Sequence, residues 1–293
     1  MIRVFEGIRN PARKKPSGLP VSFQPGEGSR EDHLSLLGDW PENLQQVEAI
    51  DCRLRPEKRI LARDDNKSLG AENFRFLSHR LHSIRQRRAL GKLLVTSSVP
   101  EEGKTVVTVN LASILTRSSQ RVLLIDADMR RPGVDRALEI PAIPGLADCL
   151  EGRITIGESL RRLDPMGLYY VAAGSPETNP VELLQGARMA ELLKKAAATF
   201  EWVVVDTPPL LPFADAHCIA THADAVVLVA RSGVTTRQNF QQALAALEGS
   251  YVAGVVLNGR DEPQQQSYYS RYTRRDEKQA KADAQAVEEA KGE

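Results

Sequence analysis

Six short apolar runs set the frame for this chain: Leu93–Thr96, Val122–Ile125, Leu168–Ala172, Trp202–Val205, Val226–Val229 and Val252–Leu257. Each is continuous rather than alternating, the pattern of a strand buried on both faces. Between them lie stretches of helical pattern at Lys104–Leu115, Gly157–Leu163, Ala187–Ala198, Ala214–Thr221 and Thr236–Leu247. This alternation predicts an α/β fold, a parallel β-sheet flanked by helices on both faces. Upstream, Phe74, Leu77, Leu81 and Ile84 form one stripe of an amphipathic helix. The regular pattern spans residues 71–262, enough to bury roughly 70% of its unfolded surface as one domain.

The flanks read differently. Residues 1–70 hold six of the 17 prolines and only scattered apolar residues, and are predicted to be largely disordered. Within them Leu44, Val47 and Ile50 recur at helical spacing after Pro41, which marks a short helix, transient or docking. Residues 263–293 have Val287 as their only bulky aliphatic side chain and are predicted to form a flexible tail.

Composition narrows the class further. Lys and Arg number 39 against 38 Asp and Glu, a net charge of +1, so nothing favours nucleic acid as a partner. Three widely spaced cysteines, Cys52, Cys149 and Cys218, exclude a disulfide scaffold and fit a reducing compartment. The longest apolar runs are about six residues, against the ~20 a membrane-spanning helix needs. Met1–Asn10 has no apolar core of a secretion signal. The expectation is a soluble, cytoplasmic protein.

Three strand ends carry chemistry. The first reads Ser98-Val99-Pro100-Glu101-Glu102-Gly103-Lys104-Thr105, a phosphate-binding loop GxxxxGK[ST] with Ser98 in place of the first glycine. Backbone N–H groups at the following helix N-terminus suit a phosphate, Gly103 permits close approach, Lys104 supplies charge, and the Thr105 hydroxyl suits Mg²⁺. The charges of Glu101 and Glu102 must then point away from the anion. The second strand end is Ile125-Asp126-Ala127-Asp128-Met129-Arg130-Arg131-Pro132, two carboxylates at the edge of a parallel sheet where ligands bind. The third is Val205-Asp206-Thr207-Pro208-Pro209, a single carboxylate ending an apolar strand.

In this order the three motifs resemble the bacterial tyrosine kinases of capsule and exopolysaccharide synthesis, a branch of the MinD/ParA-like P-loop ATPases. Pro144–Gly152 resembles the family's GLxxxLxG run and Gly174–Leu184 its G…NPxELL segment. The resemblance implies ATP and Mg²⁺ as cofactors. It implies nucleotide contacts at Ser98, Glu102, Gly103, Lys104, Thr105, Val106 and Asn258, and metal binding at Thr105, Asp126 and Asp206. It assigns catalysis to Lys104, Asp126 and Asp128, with Asp126 accepting the tyrosine proton.

The tail gains meaning from the same resemblance. Of the six tyrosines, Tyr268, Tyr269 and Tyr272 cluster near Arg271, Arg274 and Arg275. They match the family's autophosphorylation substrate, which a loose tether delivers to a neighbouring subunit. The resemblance implies a homo-oligomer and a separate membrane-bound polysaccharide chain-length regulator that recruits the kinase to the inner face of the membrane. Two departures stand out. The family's ExxRxxR helix pattern is met by Glu72 and Arg75 but not by Ser78, and the tyrosine cluster is short. The alternative is a MinD/ParA-type switch or scaffold that binds ATP without phosphorylating tyrosine. Val99 stands near the place where those switches carry a lysine, which disfavours it.

Overall fold

The structure, a computed structural model, describes residues 4–5, 37–52, 60, 68–118 and 120–259. Its described strands are β1 (Val4–Phe5), β2 (Ala49–Asp51), β3 (Lys92–Ser97), β4 (Val122–Asp126), β5 (Arg161–Asp164), β6 (Leu168–Val171), β7 (Trp202–Asp206), β8 (Ala225–Arg231) and β9 (Val252–Asn258). They form one sheet in the order β1-β9-β8-β3-β7-β4-β6-β5-β2. The middle six, β9 to β6, are parallel; β1 joins β9 and β5 joins β6 antiparallel. The six central strands are the six apolar runs of the sequence.

The helices are α1 (Leu69–Arg85), α2 (Lys104–Leu115), α3 (Val134–Leu138), α4 (Leu146–Glu151), α5 (Ile156–Ser159), α6 (Pro180–Gln185), α7 (Ala187–Thr199), α8 (Asp215–Ala220) and α9 (Arg237–Ala246). The pleat sends alternate strand residues to opposite faces. Leu93, Val95, Val122, Leu124, Trp202 and Val204 pack with α1, α2 and α3. Leu94, Leu123, Ile125, Val203 and Val205 pack with α4 to α9. Removing a Leu or Val of this kind costs about 1–5 kcal/mol. In the same alternation, Asp126 and Asp206 belong to the α2 face.

Two local expectations change. The helix expected over Gly157–Leu163 ends at Ser159, and Arg161–Asp164 is strand β5 instead. A reciprocal cap between Thr155 and Glu158 holds the single turn. Leu160 then takes extended backbone, and Gly167, at φ 68°, turns the chain back into β6. Around Leu44, Val47 and Ile50 there is a 3-10 turn, Leu44–Gln46, capped by Asn43, and then β2, parallel to β5. The packed body includes this stretch. Leu37 and Trp40 are buried, Trp40 meets Phe200 edge-on at 5.3 Å, and Lys195 Nζ donates to the Gly38 carbonyl at 2.6 Å. No helix among the described residues is long and apolar enough to cross a membrane.

Candidate nucleotide site

Strands β3, β7 and β4 are neighbours, and their C-terminal ends bring the three motifs together. Asp126 and Asp206 are register partners on adjacent strands and both are fully buried. Between Ser97 and α2 the loop turns at Gly103, whose φ of 88° favours glycine. A Cβ there would stand 2.2 Å from Asn258 Nδ2, so the Asn258 amide would have to move.

The loop's functional groups face the aspartates. Lys104 Nζ lies 2.8 Å from Asp128 Oδ2. Thr105 Oγ1 donates to Asp206 Oδ2 at 2.7 Å, and Thr108, one turn further along α2, donates to Asp206 Oδ1 at 2.8 Å. Asp126 accepts three backbone N–H bonds, from Asp128 at 3.0 Å, Gly133 at 3.0 Å and Val134 at 3.1 Å. These fold the chain after β4 into a tight loop that starts α3.

Electrostatics follow from this crowding. Burial, then the charge of Asp206, pushes the Asp126 carboxyl up to about 8, against the three N–H bonds that favour its ionised form. Burial raises Asp206 as well, opposed by Lys104 and the Thr105 and Thr108 hydroxyls. Burial works against the Lys104 charge, but Asp206, Asp128 and Asp126 together hold its pKa above the ordinary lysine value.

A cleft of about 540 Å³ opens over this floor, lined by Gly103, Lys104, Thr105, Val106 and Asp128 on one side and by Arg130, Arg131 and Phe213 on the other. Arg130 lies 4.7 Å over the Phe213 ring and donates to the buried Asp215 at 3.0 Å, which ties the loop after β4 to the loop after β7. Mg²⁺ keeps several waters and takes few protein ligands beside phosphate oxygens. The Thr105 hydroxyl beside the Asp206 carboxylate suits that coordination. Among the described residues no group of three or more His, Cys, Asp or Glu forms a cage of its own. Ser98 is fully buried and its hydroxyl has no partner among the described residues.

Of the other expected positions, Ser98, Glu102 and Asn258 do not line the cleft. Val106 lines it. Asn258 supports the loop from behind, its Nδ2 donating to the Glu102 carbonyl at 3.0 Å. Glu101 is exposed as expected, but Glu102 is not: its side chain points inward, accepts from Val99 N at 3.1 Å and is hydrogen-bonded to Thr235 Oγ1. The carboxylate thus braces the back of the loop. Tyr268, Tyr269 and Tyr272 lie outside the described residues.

The two remaining sequence motifs are clamps. Glu151 Oε1 accepts from both Glu177 N and Thr178 N at 2.8 Å, and Arg153 joins Glu151, Asp148 and the Ser175 carbonyl. A Cβ on Gly145 would meet the Ala172 carbonyl oxygen at 2.1 Å. On α1, Glu72 pairs with Arg75 within the helix, while Ser78 is buried beside His82.

A P-loop at a helix N-terminus, facing carboxylates at the edge of a parallel sheet, defines a nucleotide-binding α/β domain. The CobQ/CobB/MinD/ParA nucleotide binding domain family matches residues 93–282. The tyrosine-protein kinase YwqD of Bacillus subtilis is 32% identical over 208 residues, 70% of this chain and 88% of its own. The tyrosine-protein kinase wzc of Salmonella typhimurium is 30% identical over 256 residues; the chain spans 34% of its length. The solved kinase domain of the Escherichia coli tyrosine kinase ETK superposes with a TM-score of 0.65 at 30% identity, covering 74% of this chain and 84% of that one. The chain belongs to the CobQ/CobB/MinD/ParA nucleotide-binding family and, within it, to the bacterial tyrosine-protein kinases.

Proposed function

We propose that this chain is an ATP- and Mg²⁺-dependent autokinase that phosphorylates its own tyrosine cluster, Tyr268, Tyr269 and Tyr272, between copies. The carrying observation is that Lys104, Thr105 and Asp128 line one cleft and are bonded to, or continuous with, the buried strand-end pair Asp126 and Asp206. In the reaction the tyrosine oxygen bonds to the γ-phosphorus, the bond from that phosphorus to the β-phosphate bridging oxygen breaks, and ADP leaves. Lys104 neutralises charge building on the transferred group, and Gly103 keeps the backbone N–H groups open to the phosphates. Thr105, Asp126 and Asp206 would hold Mg²⁺, which would neutralise charge on the phosphate oxygens. Asp126, at the end of β4, would receive the phenolic proton.

The same reading places the enzyme in polysaccharide synthesis or export, with a separate membrane-bound chain-length regulator as its activator. Incubation with labelled ATP and Mg²⁺ should label the tail tyrosines, and Lys104→Met should abolish the label. ATP hydrolysis without phosphotyrosine, in the presence of the activator, would contradict the kinase reading.

A further inference from the structure

Three arginines line the cleft across from the P-loop: Arg130, Arg131 and Arg136. They are not equivalent. Arg130 donates to the buried Asp215 and lies over Phe213, so its charge is already neutralised. Arg131 and Arg136 are exposed and form no ion pair among the described residues. Their placement is nevertheless held. Asp128 Oδ1 accepts from Arg131 N at 3.0 Å, and Arg136 Nη2 donates to the Arg131 carbonyl at 3.3 Å. The second bond brings the Arg136 side chain, from α3, back onto the turn that carries Arg131. Elsewhere in the lining Lys104 and Asp128 neutralise each other, and Glu101 belongs to the P-loop side. The facing wall keeps two uncompensated guanidinium groups.

Two such groups suit a phosphate. A phosphotyrosine carries a charge of about −1.5 to −2 and three acceptor oxygens, and guanidinium groups bind such oxygens in a fork. Pro209 and Phe213 add apolar lining against which a phenol ring can rest. The acceptor segment proposed above has the wrong charge before it is modified. Residues 264–275 hold Arg271, Arg274 and Arg275 and no acid. Facing Arg131 and Arg136, that segment is repelled until phosphate is added to it. Tyr269 and Tyr272 are three residues apart, about 10 Å in extended chain, a spacing that lets one enter the cleft while the other stays at its rim.

We propose that Arg131 and Arg136 form a phosphotyrosine subsite beside the transfer cleft, which favours acceptor segments already carrying one phosphate. Each round moves one phosphoryl group from ATP to a phenol oxygen, and ADP and the phenolic proton leave. The first phosphate then recruits the segment for the next round, so modification of the cluster accelerates as it proceeds. The ordering clause deepens the kinase reading and rests on it; the binding clause does not.

Both clauses are tested on the full chain carrying Tyr268→Phe, Tyr269→Phe and Tyr272→Phe, so that only an added peptide accepts phosphate. The peptides are residues 264–275 with Phe at position 268 and the acceptor at position 269; position 272 carries Phe, Glu or phosphotyrosine. A second set exchanges positions 269 and 272. Fluorescence anisotropy with ADP present reads binding and needs no turnover, and labelled ATP reads transfer. In at least one set the phosphotyrosine peptide should bind roughly five-fold tighter than the Phe peptide, with a correspondingly lower KM. Arg131→Gln combined with Arg136→Gln should bring the ratio of the two peptides close to one. No preference in either set, or a preference unchanged in that variant, overturns the subsite. A Glu peptide bound as tightly as the phosphotyrosine peptide assigns the wall to acidic sequences and overturns it equally. So does a variant that loses ADP affinity by as large a factor as peptide affinity, because the two arginines then serve the nucleotide. Tighter binding without a lower KM overturns the ordering. If no peptide gains phosphate, the kinase reading and the ordering fall together, while anisotropy still decides the subsite.

Discussion

Lys104 Nζ stands 2.8 Å from Asp128 Oδ2, and both side chains are largely buried. The lysine that would meet phosphate, after β3, is held by an acid from the end of β4, with β7 between the two strands. A polyphosphate entering the cleft competes with that carboxylate for the same ammonium.

Asp128→Asn should therefore strengthen ADP binding several-fold, since it removes a negative charge beside the incoming phosphates. Phosphoryl transfer should fall in the same variant if Asp128 orients Lys104 during turnover. Lys104→Met leaves the Asp128 carboxylate without its partner and should destabilise the nucleotide-free protein by about 1–3 kcal/mol. Adding Asp128→Asn should recover most of that loss. Paired denaturation curves and ADP titrations check both effects.

Asp126 gives a pH dependence whose sign is fixed. Its folded-state pKa, about 8, lies above the unfolded value near 4. A raised carboxyl contributes stability that is fully present below the unfolded pKa and is lost as pH rises through the folded one. Without Mg²⁺ or nucleotide, stability should decline by a few kcal/mol between about pH 4 and pH 8 from this group, with Asp206 acting in the same direction. Asp126→Asn should flatten much of that slope in urea denaturation. A parent protein that gained stability relative to the variant over this range would refute the assignment.

Gly103→Ala meets the penalty of a φ of 88°, and its Cβ displaces the Asn258 amide, whose Nδ2 lies 2.2 Å from that position. The strained backbone costs of order 1–3 kcal/mol. ADP affinity should fall at least ten-fold, and thermal denaturation should show a lower Tm. Asn258→Ala combined with Gly103→Ala should relieve the collision but not the φ penalty, leaving affinity below that of the parent.

Thr108 lies beyond the motif, yet it bonds the same aspartate as Thr105. Thr108→Val removes one donor from the buried Asp206 carboxylate and should cost about 1–2 kcal/mol. The Mg²⁺ concentration needed for half-maximal autophosphorylation should rise several-fold, with little change in ADP affinity without metal.

The central sheet was legible because its strands are buried on both faces and announce themselves as uninterrupted apolar runs. Asp126 and Asp206 were legible for the same reason: each ends such a run. Glu102 was not. Its partner Thr235 is 133 residues away in the chain, and a carboxylate beside an anion site reads as outward-facing until that contact is known. Arg161–Asp164 misled in another way. Ile156, Leu160 and Leu163 fall at helical spacing, and only the Thr155–Glu158 cap and the turn at Gly167 show that one turn of helix gives way to a strand. Thr108 was invisible because nothing in a helix interior marks a threonine that bonds to a strand across the interface. The short β2 carries too few residues to show a period.

The bonds from Glu151 and Arg153 to residues 175–178 hold two connecting segments together without lining the cleft over Lys104. The stretches that most readily betray kinship here are thus architectural, while the proposed chemistry rests on separate positions such as Lys104 and Asp126. A descendant could lose every trace of phosphoryl transfer and still be grouped with this lineage, so ancestry and competence have to be judged from different side chains.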